Sequence, residues 1–205
     1  ADDIVLLAPL WFALQDLLNI LAQCCISLDL LCNAKKTVCM RFDPKIRTKI
    51  VAENFPNFTL CGQSLTYVSE FRYLGHIITN HLTDDKDIDR EIRNLYVRTN
   101  ILIRRFHRCS ELVKVKLFKS YCICLYGAGL WDNYSNVSLL KLKSAYHRCI
   151  KMFFGYKRSN SVTEILFKLT LPSFKTVLHN CHSIYRAMRK GCCNNIVWYF
   201  EMLGR

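Results

Sequence analysis

The chain has 205 residues, 51% hydrophobic and 22% charged, a balance that fills a core and excludes both a disordered polymer and a disulfide-stapled miniprotein. Its 29 Lys and Arg against 16 Asp and Glu leave a formal charge of +13, which points to a polyanionic partner without specifying a fold. The surplus is one-sided. Residues 1–89 hold 8 basic and 11 acidic side chains, whereas residues 90–205 hold 21 and 5, so the second half serves whatever needs positive charge.

In chain order, Asp2-Asp3 lead into the apolar run Ile4-Val5-Leu6-Leu7-Ala8, which Pro9 stops. A run of this length bounded by proline reads as a strand buried on both faces. Such a strand needs neighbours on both sides, and none precedes it, so the expectation is a domain cut within its sheet with an aggregation-prone edge. From Ile4 to Cys32 the only formal charges are Asp16 and Asp29, and hydropathy rises. Pro9, with Gln15, Asp16, Asn19 and Gln23, argues against a membrane span and for a turn and an amphipathic helix. Thr37-Val38-Cys39-Met40-Arg41-Phe42 opens as a strand. Leu65–Val68 and Phe71–Thr79 read as a hairpin turning at Ser69-Glu70, with Gly75 inside its second strand, where glycine marks close approach of another backbone.

Thr83 to Arg108 carries the clearest helical signal. Asp84, Asp85, Asp87 and Asp89 crowd its start and Arg104, Arg105 and Arg108 its end, as the helix dipole favours. Ile88, Ile92, Leu95, Thr99, Leu102 and Phe106 fall within an arc of about 80° at 100° per residue. Arg90, Arg93, Arg98, Arg104, Arg105 and Arg108 fall within about 140° nearly opposite. Six arginines on one exposed face suit phosphate contact, because counterion release favours binding a nucleic-acid backbone irrespective of base sequence. Helices are also expected at Leu112–Tyr126, Ser138–Phe154, Ser161–Leu169, Ser173–Arg189 and Asn195–Leu203, with Leu171-Pro172 and Gly191 as breaks. Tyr146, Phe153, Phe154 and Tyr156 at these spacings read as helix core.

Twelve cysteines without a signal-peptide pattern point to a reducing, intracellular setting, nuclear or cytoplasmic and not secreted. Cys24-Cys25, Cys122-Ile123-Cys124 and Cys192-Cys193 lie in apolar surroundings and read as small core or interface hydrophobes. His179-x-Cys181-His182 followed by Cys192-Cys193 offers soft ligands. Adjacent ligands, however, do not match the two-to-four-residue gaps that wrap a tetrahedral zinc ion.

Four blocks, taken together, resemble a known family. Ala1-Asp2-Asp3-Ile4-Val5-Leu6-Leu7-Ala8 resembles the aromatic-Ala-Asp-Asp catalytic hairpin of reverse transcriptases of the non-LTR (LINE-like) retrotransposon type, without the leading aromatic residue. Leu14–Leu18 followed by Asn33-Ala34-Lys35-Lys36-Thr37 is similar to the Asn-x-x-Lys-Thr block that comes after the active site. Phe71-Arg72-Tyr73-Leu74-Gly75-His76-Ile77-Ile78 is similar to the primer-grip hairpin. Val113 to Tyr121 and Leu125 to Trp131 resemble the helical thumb and the segment beyond it.

The resemblance implies an α+β fold: a truncated palm of few short antiparallel strands and a helix over residues 1–82, a helical thumb over 83–135, and a helical C-terminal extension over 136–205. It implies RNA-templated DNA synthesis by two-metal nucleotidyl transfer. Asp2 would be a direct Mg²⁺ ligand and Asp3 a ligand or a nearby electrostatic support, Lys36 would stand near the leaving pyrophosphate as proton donor or charge partner, and Phe71, Tyr73, Leu74 and Gly75 would form a primer grip. The six arginines would hold an RNA template paired with a DNA primer; no membrane is involved. The family's third carboxylate and its fingers are not in these 205 residues, so the chain by itself is expected not to polymerise. A non-catalytic basic helical module that binds RNA or DNA is the alternative.

Overall fold

The computed structural model describes residues 3–43 and 55–202, an α+β chain of short strands and seven helices among the described residues. It divides into two compact units, residues 1–73 with 78–82 and residues 74–77 with 83–205.

In the first unit, α1 (Trp11–Ser27) starts just after Pro9, with Leu10 extended at its N-cap. It ends in a Schellman motif: the Leu30 N–H donates to Cys25 O at 2.8 Å and the Asp29 N–H to Ile26 O at 3.2 Å. Asp29 takes the left-handed φ of 54° that this motif needs. The chain thereby reverses into Asn33, whose side-chain oxygen accepts the Lys36 N–H at 3.2 Å and whose backbone oxygen accepts the Thr37 hydroxyl at 2.9 Å. This turn delivers the chain into β1 (Val38–Cys39).

Three two-stranded pairings follow. β2 (Thr59–Leu60) and β3 (Gln63–Ser64) are antiparallel, joined by Cys61-Gly62 with φ of 50° and 76°, the positive pair of a type I′ hairpin turn. β4 (Thr66–Tyr67) runs parallel to β1, where only antiparallel pairing was expected. β5 (Glu70–Tyr73) pairs with β6 (His76–Thr79). Gln15 of α1 acts as a surrogate strand, since its amide donates to Thr59 O and accepts from Thr59 N–H, both at 3.0 Å. Leu18, Ala34, Cys39, Phe58, Leu60 and Leu65 form the buried core, backed by Leu6, Leu14, Leu21 and Ala22.

Two expectations are corrected here. Ile4–Ala8 is not a strand, and Ile4, Val5 and Leu7 are exposed, leaving Leu6 to pack on the core. A strand is regular because a neighbour accepts its ladder, and among the described residues nothing pairs with this segment. The hairpin turn falls at Leu74-Gly75, with φ of 46° and 85°, and not at Ser69-Glu70. Gly75 is therefore a turn residue of a type I′ hairpin and not a gap inside a strand.

The second unit is helical: α2 (Asp85–Phe106), α3 (Glu111–Cys122), a 3₁₀ turn at Ala128–Leu130, α4 (Asn136–Phe154), α5 (Val162–Lys168), α6 (Phe174–Lys190) and α7 (Asn195–Met202). Serine hydroxyls at 135, 161 and 173 accept the N–H groups of Ser138, Glu164 and Thr176 and so cap α4, α5 and α6. The α2 stripe is buried as its spacing requires, with Ile88, Leu95, Thr99 and Leu102 inside. One core runs from Ile88 through Phe118, Leu142, Tyr146, Ile150 and Phe153 to Val177, so residues 83–135 and 136–205 share it. Tyr146 is fully buried and its hydroxyl donates to Pro172 O at 2.8 Å. Phe154 and Tyr156 pack against the same core.

No helix among the described residues is long and apolar enough to cross a membrane. All twelve cysteines are free thiols, and of the paired ones expected in the core or at an interface only some lie in the core. Cys122 is buried, but Cys24, Cys124, Cys192 and Cys193 are exposed, because each projects from a helix end or loop that no neighbour covers.

Gly127 is the position with least steric freedom. Its φ is +81°, and a Cβ there would stand 1.9 Å from His76 Cε1. Gly127→Ala is expected to lower stability by about 3 kcal/mol or more, through left-handed strain plus overpacking. Gly155→Ala, at φ +76° with open space around it, should lose only about 1 kcal/mol. Urea unfolding of the two variants separates them, and equal losses would refute the steric account.

Candidate nucleic-acid interface

The acidic start of α2 turns inward. Asp84 Oδ2 accepts the Asp132 and Asn133 N–H groups at 2.8 and 2.7 Å, and Asp85 Oδ1 accepts the Ser135 N–H and hydroxyl at 2.9 and 2.8 Å. These two carboxylates fasten the residue 132–135 segment that launches α4. Burial pushes the Asp84 carboxyl up, while the Ser138 hydroxyl first, then the Ser135 groups, hold Asp85 down.

Deeper in, Asp87 is a hub. It accepts Arg90 Nε at 2.6 Å and Nη2 at 3.2 Å, Trp131 Nε1 at 2.9 Å, the Ile77 N–H at 2.9 Å, and pairs with His76 Nδ1 at 3.0 Å. Glu91, fully buried, accepts Arg90 Nη1 at 3.2 Å, the Tyr126 N–H at 3.2 Å and a short bond from Arg98 Nη2. His76 stacks on Tyr126 with ring centroids 4.9 Å apart, and the Tyr126 hydroxyl donates to Leu74 O at 3.2 Å. The hairpin tip, the start of α2 and residues 125–131 are thus tied by one buried polar network.

This network corrects the six-arginine face. Arg90 is only 7% exposed, Arg98 is half-buried against Glu91, and Arg93, Arg104, Arg105 and Arg108 are exposed. A helical wheel superimposes all turns, whereas a helix of 22 residues runs about 33 Å and is covered over only part of its length. The flank holding Asp87, Arg90, Glu91 and Arg98 lies under the hairpin tip and the 3₁₀ turn; the later turns do not. The sequence carried a faint signal for this, since Glu91 falls about 20° beyond the edge of the apolar stripe, between Leu102 and Arg98 on the wheel, at a border where a partly covered acid needs a paired arginine.

The outer surface of the unit carries further basic side chains, among them Lys116 and Lys119 of α3 and Lys141, Lys143 and Arg148 of α4, all exposed. An open cleft of about 560 Å³ between α2 and α4 is lined by Ile92, Tyr96 and Leu140 together with Lys141, Arg148 and Asp89. Asp84, Asp85 and Asp87 are engaged internally while Asp89 stays exposed; Arg93, Arg104 and Arg105 of α2, Arg108 just past its end, and these basic side chains of α3 and α4 are exposed groups of a kind that suits phosphates.

Of the expected catalytic residues, Asp3 and Lys36 are described. Asp2 lies outside the described residues, Asp3 is exposed, and Lys36 is an exposed side chain after the Asn33 turn. Among the described residues no group of three or more His, Cys, Asp or Glu converges as a metal site. Asp3 brings one carboxylate, the oxygen-donor type that Mg²⁺ takes. Of the grip block, Phe71 and Leu74 are exposed, Tyr73 is half-buried, and Gly75 forms the turn with Leu74. Set against protein-family models, curated proteins and solved structures, the chain gives no match.

The Asp87 carboxyl carries a burial penalty that would raise it, but bonds from Arg90, Trp131, His76 and Ile77 outweigh this and hold it well below the usual carboxylate range. A carboxyl depressed in the fold stabilises above the ordinary Asp value, near pH 4, and that contribution drains away as pH falls further toward the folded value. The unfolding midpoint in urea is expected to fall steeply below about pH 4. Asp87→Asn should be less stable at pH 7 by about 3 kcal/mol and show a flatter acid limb; an unchanged acid limb would contradict the hub.

Proposed function

We propose that the chain is a palm-and-thumb portion of a reverse transcriptase of the non-LTR retrotransposon type, and that its helical unit grips the RNA–DNA hybrid. The observation that carries this reading is the ordered series of four blocks, from Asp2-Asp3 through Asn33–Thr37 and Tyr73-Leu74-Gly75 to Leu125–Trp131. Support comes from the third block, which forms a tight hairpin whose tip is bonded to Asp87 of α2 and to Tyr126 beyond α3. Further support comes from the exposed Arg93, Arg104 and Arg105 on the same helix and Arg108 in the turn that follows it.

The grip works by charge. Guanidiniums along a helix face neutralise successive phosphates and release condensed counterions, which gives affinity for a hybrid without base readout. The chemistry of the family needs a complete carboxylate cage on two divalent ions; the 205 residues taken alone bind hybrid and do not extend a primer. The setting that follows is intracellular, nuclear or cytoplasmic.

Binding of a labelled RNA–DNA hybrid to the full chain, measured across salt concentrations, tests the grip. Charge reversal of Arg93, Arg104 and Arg105 together is expected to weaken binding at least tenfold and to reduce the salt slope by about one for each phosphate no longer neutralised. Arg93→Glu alone should leave the unfolding midpoint unchanged while lowering affinity. Unchanged affinity and slope in the triple variant would defeat the proposal, as would template-directed primer extension by the unmodified chain defeat the inactivity.

A further inference from the structure

The first unit holds a pair of sulfur atoms that the nucleic-acid reading does not use. Cys25 Sγ and Cys32 Sγ stand 2.8 Å apart, between the roughly 2.05 Å of a disulfide and the roughly 3.5–4.0 Å of unbonded heavy atoms. The Schellman motif makes the juxtaposition. Leu30 N–H bonded to Cys25 O folds the chain back over the last turn of α1, and Asp29 at φ 54° provides the reversal, so Cys32 arrives over Cys25. Cys24 is one residue away but exposed, whereas Cys25 and Cys32 are both half-buried. Consecutive helix residues point about 100° apart, so only one of the vicinal thiols meets Cys32.

We propose that Cys25 and Cys32 form a reversible oxidation site, a dithiol that a low-molecular-weight disulfide of the glutathione class converts to an intramolecular disulfide. The step balances as two thiols plus one glutathione disulfide giving one protein disulfide plus two glutathione thiols. The Cys25 thiolate attacks a glutathione sulfur, one glutathione thiolate leaves, and the resulting mixed disulfide is attacked at Cys25 Sγ by the Cys32 thiolate, expelling the second. The Cys32 thiol is pushed up to about 11, first by its hydrogen bond to Cys25, then by burial and by the charges of Cys25 and Cys61. The leading cause disappears once Cys25 carries glutathione, which frees Cys32 to act as the resolving thiol. The bond would staple the end of α1 to the loop that enters the Asn33–Thr37 turn.

The full chain is equilibrated in glutathione redox buffers, trapped with N-ethylmaleimide and cleaved with trypsin, which leaves Cys24, Cys25 and Cys32 together in the fragment ending at Lys35. The expected product is that fragment two hydrogens lighter, with one maleimide on Cys24. The Cys25–Cys32 link should exceed the Cys24–Cys32 link by about tenfold, since the fold holds only the Cys25 sulfur in contact with Cys32, and urea should abolish the preference. Cys24→Ser should keep the two-hydrogen loss; Cys25→Ser and Cys32→Ser should lose it and retain glutathione on the remaining thiol. Equal yields of the two links in the folded chain, or persistence of glutathione on Cys25 with Cys32 free, would overturn the assignment.

Discussion

Two carboxylates of α2, Asp87 and Glu91, hold the helical unit to its hairpin tip. Taking charges out of water is costly, and the cost is met only when every remaining lone pair and proton finds a partner. Here Asp87 and Glu91 share Arg90 and Arg98, and the remaining acceptor positions take the Ile77 and Tyr126 N–H groups, the Trp131 indole and His76. Three segments far apart in sequence end on one set of oxygens. The geometry is closed further by Gly127, which leaves room for the His76 ring, and by the stacking of His76 on Tyr126.

The same constraint sorts the charge of the unit. Asp84, Asp85, Asp87 and Glu91 are spent on backbone N–H groups, side chains and two arginines, which withdraws most of the negative potential of this stretch from the surface and leaves Asp89 exposed. The arginines beyond the covered stretch of helix stay in solvent. A helix whose sequence looks evenly zwitterionic therefore presents a basic exterior over its second half, and long-range attraction of a polyanion depends on that exterior and not on the formal count.

The first unit is built on a different principle. Its strands are two to four residues long, too short for a self-sustaining sheet, and local motifs hold it instead: the Schellman reversal after α1, the Asn33 turn, the type I′ turn at Cys61-Gly62 and the Gln15 clamp on Thr59. Each satisfies backbone groups that a longer ladder would have paired. The approach of Cys25 and Cys32 is a product of this local wiring. A helix end folded back on itself brings residues seven apart into contact.

Much of the helical unit was legible in the sequence, because a 3.6-residue apolar period is a local property that survives any tertiary arrangement: the α2 stripe and the presence of each helix follow from it, whereas α3 stops at Cys122 and not at Tyr126. The basic surplus after residue 90 was legible for the same reason. Burial of Arg90 and Arg98 was not, since it depends on residues 74–77 and 125–131 folding over one stretch of the helix. Nor was the fate of Ile4–Ala8, whose strand pattern states a capacity that only a neighbouring strand can realise. The turn at Leu74-Gly75 lies between these cases. Glycine announced a special conformation there, but a leucine at positive φ is chosen only once the hairpin tip is bonded to Asp87 and Tyr126. Sequence set the charge and the periodicity, and tertiary contact decided which charges reach solvent, because burial is a relation between segments and no single segment encodes it.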